Sequence, residues 1–437
     1  MGLRSFLEKT EQAGGLTTIQ AEVDPRLEMA KIISGRESEP LLFTKVKGHA
    51  YRVAAGVCAA RGHFALDLDV DASQLLFTMS EALANPVPAE IVDVGPCQEV
   101  VEKEVNLDGL PILTHLPQDG GPYITASVVT IKDAQYGRNV SIHRLLQLSP
   151  RELVARVVEG RGTDTALKKS NAELEAAICI GNPPTVLLAA AMSPPPGVDE
   201  FSIANALRPT PLVKCLTVDL EVPADTEIVL EGRITTRTAP EGPFLDLTGT
   251  MDIVREGRVL EISCITHRRD PIYQALLPGG LEHKLLMGLP REPTIYAEVS
   301  KVCRCLKVLL TPGGSSWLHA VVQIQKREAD DGRRAIEAAF QGHSSLKHVV
   351  VVDEDVDIHD PHDVEWAIAT RFQADSDLVV WEDQPGSSLD PSAVHIPGQK
   401  TRTAKMGLDA TIPWRKPSGE ALSAAERKAF ERVSYEE

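Results

Sequence analysis

The chain has 437 residues, 43% of them hydrophobic and 24% charged, enough for two or three globular domains. A net charge of −17 at pH 7 argues against a broad nucleic-acid surface, and an aromatic content of 4% argues against base-stacking platforms. Seven cysteines, an odd number in a large chain whose start lacks a secretory apolar run, read as reduced thiols in a cytoplasm.

Ser5 and Glu8 have capping-box spacing and predict a first helix. Asp24 with Pro25 predicts a second, with Leu27, Ala30 and Ile33 on one face and Gly35 at its end. Leu41–Val46 and Tyr51–Ala55 read as strands, so the chain opens as α/β. From about Val92 short strands recur, at Thr125–Lys132, Asn139–His143, Ala176–Ile180, Thr185–Ala191, Leu212–Val218, Glu227–Glu231 and Arg258–Ile265. Turns rich in Gly, Pro and Asp separate many of them, which suggests a β-barrel or sandwich. Ser149, Pro150 and Glu152 predict a helix over Pro150–Glu159 inside that region.

After about Pro293 the pattern is α/β again. Ile295–Val299, Leu306–Leu310, His319–Val322 and His348–Val352 read as strands, and Asp331–Gln341 and Pro361–Arg371 as helices. A tail helix is predicted over Glu420–Val433, with Ser423 and Glu426 at capping-box spacing. Its stripe of Leu422, Ala425, Ala429, Phe430 and Val433 needs a partner, either its own domain or another subunit. Thr185–Met192 and His348–Val352, the longest apolar runs, are too short to span a bilayer. Cys303 and Cys305 alternate on a predicted strand and lack the second pair of a zinc site. Asp353–Asp357 has Ile358 and Val364 where a calcium loop needs Gly and Glu, so it reads as a solvated loop before a helix capped by Asp360.

Two segments carry chemistry. In Ala-Pro-Glu-Gly-Pro-Phe-Leu-Asp-Leu-Thr-Gly, residues 239–249, Glu241 and Asp246 sit among Pro240, Gly242, Pro243 and Gly249, which argues for a shaped loop. Two carboxylates on such a loop can hold different protonation states. Upstream, Gly137–Arg144 offers an amide, a hydroxyl, an imidazole and a guanidinium on a predicted strand. G-x-G-x-x-G, the Walker A loop and the G-x-S-x-G elbow are absent.

These segments, with Asp119–Thr125, Gly197–Phe201, Val222-Pro223, Ile228–Gly232 and Lys405–Thr411 in order, resemble the UbiD-type decarboxylases, which use prenylated FMN. The resemblance implies an α/β (α+β) protein. Its parts would be an N-terminal α/β domain over 1–95, a central split β-barrel flavin-binding domain over 96–292, a C-terminal α/β domain over 293–400, and a linker with the terminal helix over 401–437. It implies a flavin phosphate tied through a divalent metal, Mn²⁺ or Mg²⁺, often with K⁺ nearby. Asn139 and Glu200 match the metal ligands, and oxygen donors suit those ions. Read from the residues alone, Glu200 is also an ordinary first-turn acid of a short helix capped by Asp199. Where the family has a further histidine ligand, this chain has Gly160-Arg161-Gly162. The metal site would then be altered, completed by water, or served by another group such as Asp164.

Arg144, Glu241 and Asp246 match the family's catalytic arginine and acids. A guanidinium can clamp a carboxylate through two parallel hydrogen bonds. Loss of CO₂ leaves negative charge that needs an electron sink, which the flavin supplies. Asp246 would return a proton, and Glu241 would hold Arg144 and tune Asp246. A structural Arg144–Glu241 salt bridge is compatible with that role. Ser141, Ile142 and His143 would line the flavin, and Lys405 would meet its phosphate. Ala191, Met192 and Ser193 would be further neighbours or a plain strand-exit loop. Within the family the chain is similar to an archaeal branch that converts trans-anhydromevalonate 5-phosphate to isopentenyl phosphate in a mevalonate pathway. Arg268, Arg269, His283 and Lys284 are candidate groups for the substrate phosphate. The implied partners are an unsaturated, phosphorylated carboxylic acid, a flavin prenyltransferase as cofactor supplier, and copies of itself in a dimer or hexamer, with no nucleic acid and no membrane. An aromatic, hydroxybenzoate-type acid decarboxylase and a non-catalytic flavin-binding scaffold are the alternatives.

Overall fold

The computed structural model describes residues 2–170, 173–396, 399–416 and 418–433. Contacts divide the chain into two compact units, Met1–Leu286 and Met287–Glu437, each mixing helices with sheet.

A nine-stranded antiparallel sheet dominates the first unit. Its order is Tyr123–Ile124, Leu145–Ser149, Glu152–Ala155, Arg255–His267, Ile228–Glu241, Leu174–Ile180, Val128–Asp133 and Gly137–Ile142, with Val100–Glu102 also on Arg255–His267. Gly137–Ile142 is one edge and Leu145–Ser149 lies beside the other, yet only His143 and Arg144 separate them in sequence. Laid flat, six strand spacings would set them about 29 Å apart. Three Cα steps reach only about 11 Å. The sheet therefore curls into an open barrel whose seam carries His143 and Arg144. Val129, Ile131, Ile178, Leu230, Leu260 and Leu153 fill it. A four-stranded sheet of Thr17–Val23, Leu41–Val46, Arg52–Ala55 and Ile272–Gln274 adds Val23, Phe43, Val53 and Tyr273 to the same core.

In the second unit a five-stranded sheet runs Arg304–Leu310, His319–Gln325, His348–Val352, Arg402–Asp409, Leu378–Pro385. His348–Val352 is central and parallel to both neighbours. Val349 and Val351 pack under helices Glu292–Ser300 and Asp331–Gly342, and Val350 and Val352 under Pro361–Arg371. Burial on both faces is why that strand is a continuous apolar run.

Three predicted elements change type. Thr185–Ala191 lies in the helix Pro184–Ala191, buried on nearly every side, so no helical period marks it, while Pro184 pre-sets its first turn. Ile295–Val299 belongs to the helix Glu292–Ser300, with Pro293 in its first turn. The helix predicted at Pro150–Glu159 is instead the strand Glu152–Ala155, paired on both sides. Ser149 Oγ does meet Glu152, at 3.3 Å, but to close a hairpin turn. Tertiary pairing of Leu153, Val154 and Ala155 overrides the local capping pattern.

Boundaries also move. The first helix starts at Leu3, with Ser5 and Glu8 inside it, and its N-cap Gly2 packs so closely that a Cβ would stand 2.6 Å from the Asp225 carbonyl oxygen. The second starts at Glu28 after Leu27 at φ 69, and Asp24 instead accepts the Arg26 N–H at 2.8 Å. The tail helix is only Ala424–Lys428; its capping box is formed and Arg371 donates to the Phe430 carbonyl at 3.0 Å, while the helix itself buries no residue. Only Cys305 lies on the strand Arg304–Leu310, with Cys303 before it, and all seven cysteines are free thiols. Asp360 caps its helix as expected, but the acidic run is not merely solvated: Asp355 pairs with the buried Arg371 at 2.9 Å. Among the described residues no helix is long and apolar enough to cross a membrane.

Candidate active site

Arg144 leaves the barrel seam and meets three carboxylates. Its Nε and Nη2 donate to Glu241 at 2.8 and 3.0 Å, its Nη1 to Asp246 at 2.9 Å, and its Nη2 also to Asp252 at 2.8 Å. The guanidinium lies over the Phe244 ring, 4.6 Å from its centroid. Burial works against its charge, but Glu241, Asp246 and Asp252 together raise its pKa further above the usual arginine value.

The carboxylates are delivered by one hairpin. Ile228–Glu241 pairs with Arg255–His267, placing Glu241 opposite Arg255. Between them Phe244–Leu245 pairs with Met251–Asp252, so Asp252 returns opposite Phe244. Glu241 is fully buried and also accepts from the Tyr123 hydroxyl at 3.2 Å. Burial and the Glu241 charge push the Tyr123 phenol well above its usual range, so it stays neutral. Burial would push Asp252 up, but hydrogen bonds from Arg255 and Arg144 hold it below the usual carboxylate range. Asp246 differs: beyond one Arg144 bond, its Oδ1 accepts the Leu247 N–H at 2.7 Å.

A second cluster lies on the barrel edge. The Asn139 amide donates to Glu200 Oε1 at 3.2 Å, and the Val140 N–H donates to Glu200 Oε2 at 2.8 Å. Glu200 opens the helix Glu200–Leu207, whose cap Asp199 is fixed by Arg138 at 2.6 Å. Burial pushes Glu200 up to about 7. Asn139 Oδ1 is buried with no hydrogen-bond partner. His143 bonds the Arg156 carbonyl through Nδ1 at 2.9 Å, leaving Nε2 to accept from Ser141 Oγ and Thr163 Oγ1 at 2.9 and 3.0 Å. Burial lowers its pKa, which favours this neutral tautomer.

Models of three consecutive domains match the chain: the N-terminal, Rift-related and C-terminal domains of UbiD, 3-octaprenyl-4-hydroxybenzoate carboxy-lyase, over residues 7–83, 90–281 and 284–410. The chain belongs to the UbiD family. It is 40% identical to the anhydromevalonate phosphate decarboxylase of Methanothermobacter thermautotrophicus, over 100% of both chains. The FMN complex of the UbiD-class enzyme HmfF from Pelotomaculum thermopropionicum superposes with a TM-score of 0.92 at 40% identity, covering 99% of this chain and 97% of that one. An evolved dimeric form of that enzyme with prFMN gives 0.87 at 38% identity, covering 97% and 96%.

For a UbiD protein the departure at Gly160-Arg161-Gly162 now has a location. A Cβ on Gly162 would stand 2.5 Å from Asn139 Oδ1. Asp164 does not substitute there, since it accepts from the Gly160 N–H and Lys168, both at 2.7 Å, in the first turn of its own helix. Among the described residues no group of three His, Cys, Asp or Glu side chains could hold a metal ion. The unpartnered Asn139 oxygen beside a buried carboxylate still fits a cation with oxygen ligands completed by a bound phosphate or water.

Ile142 ends the strand before His143. Ala191, Met192 and Ser193 follow a helix, not a strand, and that helix packs against Gly137–Ile142. Lys405 belongs to the second unit, where it is buried, donates to the Ser344 carbonyl at 2.8 Å and lies 5.0 Å from the Phe340 ring centroid. Of the basic groups considered for phosphate, His283 lies within electrostatic reach of Asp246 and Arg144. Arg268 and Arg269 follow the far end of the 13-residue strand Arg255–His267, about 40 Å from Arg255, and Arg268 approaches Glu227 instead. Sequence reasoning missed Asp252, Arg255, Tyr123, Thr163 and Arg138. Tyr123 was inside a recognised string; Asp252 carried no signal, because its role depends on the hairpin register.

Proposed function

We propose that the protein is a non-oxidative decarboxylase of a phosphorylated α,β-unsaturated acid, trans-anhydromevalonate 5-phosphate, releasing CO₂ and isopentenyl phosphate. The reading is carried by the hub of three carboxylates on Arg144, with the oxygen pair Asn139 and Glu200 on the strand that leads to it. Full-length likeness to an archaeal anhydromevalonate phosphate decarboxylase supports the substrate, and an archaeal mevalonate pathway in the cytoplasm would be its setting. Prenylated FMN, when bound, supplies the electron sink that these side chains lack. Asn139 and Glu200 would hold its phosphate through Mn²⁺ or Mg²⁺, and K⁺ fits the same oxygen chemistry. Ser141, Ile142 and His143 would line it, with Ala191–Ser193 nearby.

The acids divide the work by their partners. Glu241 accepts from two Arg144 donors, and Asp252 meets two guanidinium groups. Asp246 has one guanidinium N–H and one backbone amide, so it is the carboxyl that can carry and deliver the proton. Tyr123 and Phe244 cover the buried side of the hub.

The test uses protein co-expressed with a flavin prenyltransferase. Native mass spectrometry should find the prenylated flavin, and the phosphorylated acid should yield CO₂ far faster than its dephosphorylated form, because remote binding energy positions the reacting carbon. Folded protein that takes up no flavin, or that prefers an aromatic acid, overturns the reading.

A further inference from the structure

Two consecutive residues of the edge strand Gly137–Ile142 grip the start of one helix. Asn139, with the Val140 N–H, holds Glu200, the first residue of Glu200–Leu207. Arg138, whose side chain leaves the opposite face of the strand, holds the cap residue Asp199. Its Nε donates to both Asp199 oxygens at 3.2 Å and its Nη2 to Oδ2 at 2.6 Å. Its Nη1 donates to Glu221, on the strand Glu221–Pro223, at 2.6 Å, and the guanidinium lies 5.6 Å from the Phe201 ring centroid. Asp199 in turn accepts the Phe201 N–H at 3.0 Å, so the guanidinium fork fixes the first turn of the helix through its cap.

The two acids at that helix start are unlike. Asp199 is paired with Arg138, whereas Glu200 is buried and, among the described residues, forms no ion pair. The Asn139 amide and the Val140 N–H that it meets are neutral. A buried carboxylate without a cation is costly, so Glu200 is poised for a positive ligand. Beside it, Asn139 Oδ1 is buried without a hydrogen-bond partner, a second oxygen donor. Were Asp199 released, a second carboxylate one residue away would compete for that ligand, and the turn that carries Glu200 would lose its cap. Arg138 prevents both: it neutralises Asp199 and holds the turn in place.

We infer that Arg138 is a positioning residue: by neutralising and fixing Asp199 it presents Glu200, together with Asn139, to the divalent cation of the flavin phosphate. This rests on the cofactor reading above. The test titrates Mn²⁺ into the protein supplied with FMN, following free Mn²⁺ by electron paramagnetic resonance and bound FMN by fluorescence quenching. Arg138→Met should bind Mn²⁺ about 10- to 100-fold more weakly, the usual cost of losing a contact that orients a metal ligand. Asp199→Ser, which keeps a capping oxygen but loses the ion pair, should fall by a similar factor. The double variant should lose no more than either alone, because all three break one contact. Excess Mn²⁺ should restore FMN binding in each. If either single variant binds Mn²⁺ as the parent does, the inference fails and the cofactor reading stands. Losses that multiply in the double variant, or a loss of FMN that excess Mn²⁺ does not restore, assign Arg138 a purely structural role and also overturn it. A parent that takes up FMN with no dependence on Mn²⁺ or Mg²⁺ sinks the metal reading and the inference together. Should Arg138→Met fail to fold, Asp199→Ser with a parent-like melting temperature decides alone, and parent-like Mn²⁺ affinity in it overturns the inference.

Discussion

Four of the five N–H donors of Arg144 are committed to carboxylates, so it organises acids more than it clamps a substrate. A bidentate grip on a substrate carboxylate would require Glu241 to let go. Asp246→Asn should therefore lower turnover by about 10²–10⁴-fold with flavin uptake intact, the usual contribution of a general acid. Asp252→Asn should cost less, on the order of tenfold, because Glu241 still anchors Arg144. CO₂ release and solvent deuterium incorporation into product would check both, and equal losses would mean the roles are wrongly divided. His115 makes a separate prediction. It is buried, neither ring nitrogen has a hydrogen-bond partner although the Asp119 carboxylate stands 3.9 Å from Nδ1, and burial lowers its pKa from 6.5 to about 3. The unfolded chain then binds the extra proton between those values, so stability falls as pH drops from 6.5 toward 3. His115→Leu should keep that stability, seen as a smaller acid-induced drop in Tm, by a few degrees or more.

The hairpin that carries the acids depends on a close strand approach. Gly257 lies opposite Ala239 on the strand Arg255–His267. A Cβ there would meet Val154 Cγ2 at 2.6 Å, the Ala155 carbonyl oxygen at 2.7 Å and Glu241 Cβ at 3.2 Å. Gly257→Ala should destabilise by about 1–3 kcal/mol through overpacking, measured by denaturant unfolding. Because the strain falls on Ala155 and Glu241, activity should drop even at temperatures where the variant is fully folded. An unchanged kcat in the folded variant would show that the hairpin tolerates the shift.

The molecule carries −17 net charge yet handles anions, so its few buried cations matter. In the second unit Lys405 is one: burial, then the charge of Lys400, lowers its pKa from 10.5 to about 8. Below about pH 8 it is charged in folded and unfolded chains alike, and the full burial penalty applies. Lys405→Met should raise the Tm of flavin-free protein by on the order of a few degrees at pH 7. That gain should shrink from about pH 8 to 10.5, where the folded parent sheds the proton first. A gain that does not vary with pH would place the effect in packing alone.

Local chemistry was enough to expose the strand pattern of the barrel, the α/β texture at both ends, the acids on a Pro/Gly-broken segment and the Asn139–Arg144 string. These are legible because alternation, turn residues and motif order act between near neighbours. Three elements misled for the converse reason. Thr185–Ala191 is buried almost all round and loses its period, Pro293 inside the first turn of Glu292–Ser300 hid a helix, and strand pairing turned the Ser149–Glu152 cap into a hairpin. The third carboxylate, Asp252, depends on its register against Phe244, and the four bonds Arg144 makes to acids depend on where the hairpin brings Glu241, Asp246 and Asp252. Neither can be written in a string of letters. Register, barrel closure and charge balance are sums over residues far apart in sequence, and they take their values once the sheet has curled and brought its two edges to His143 and Arg144.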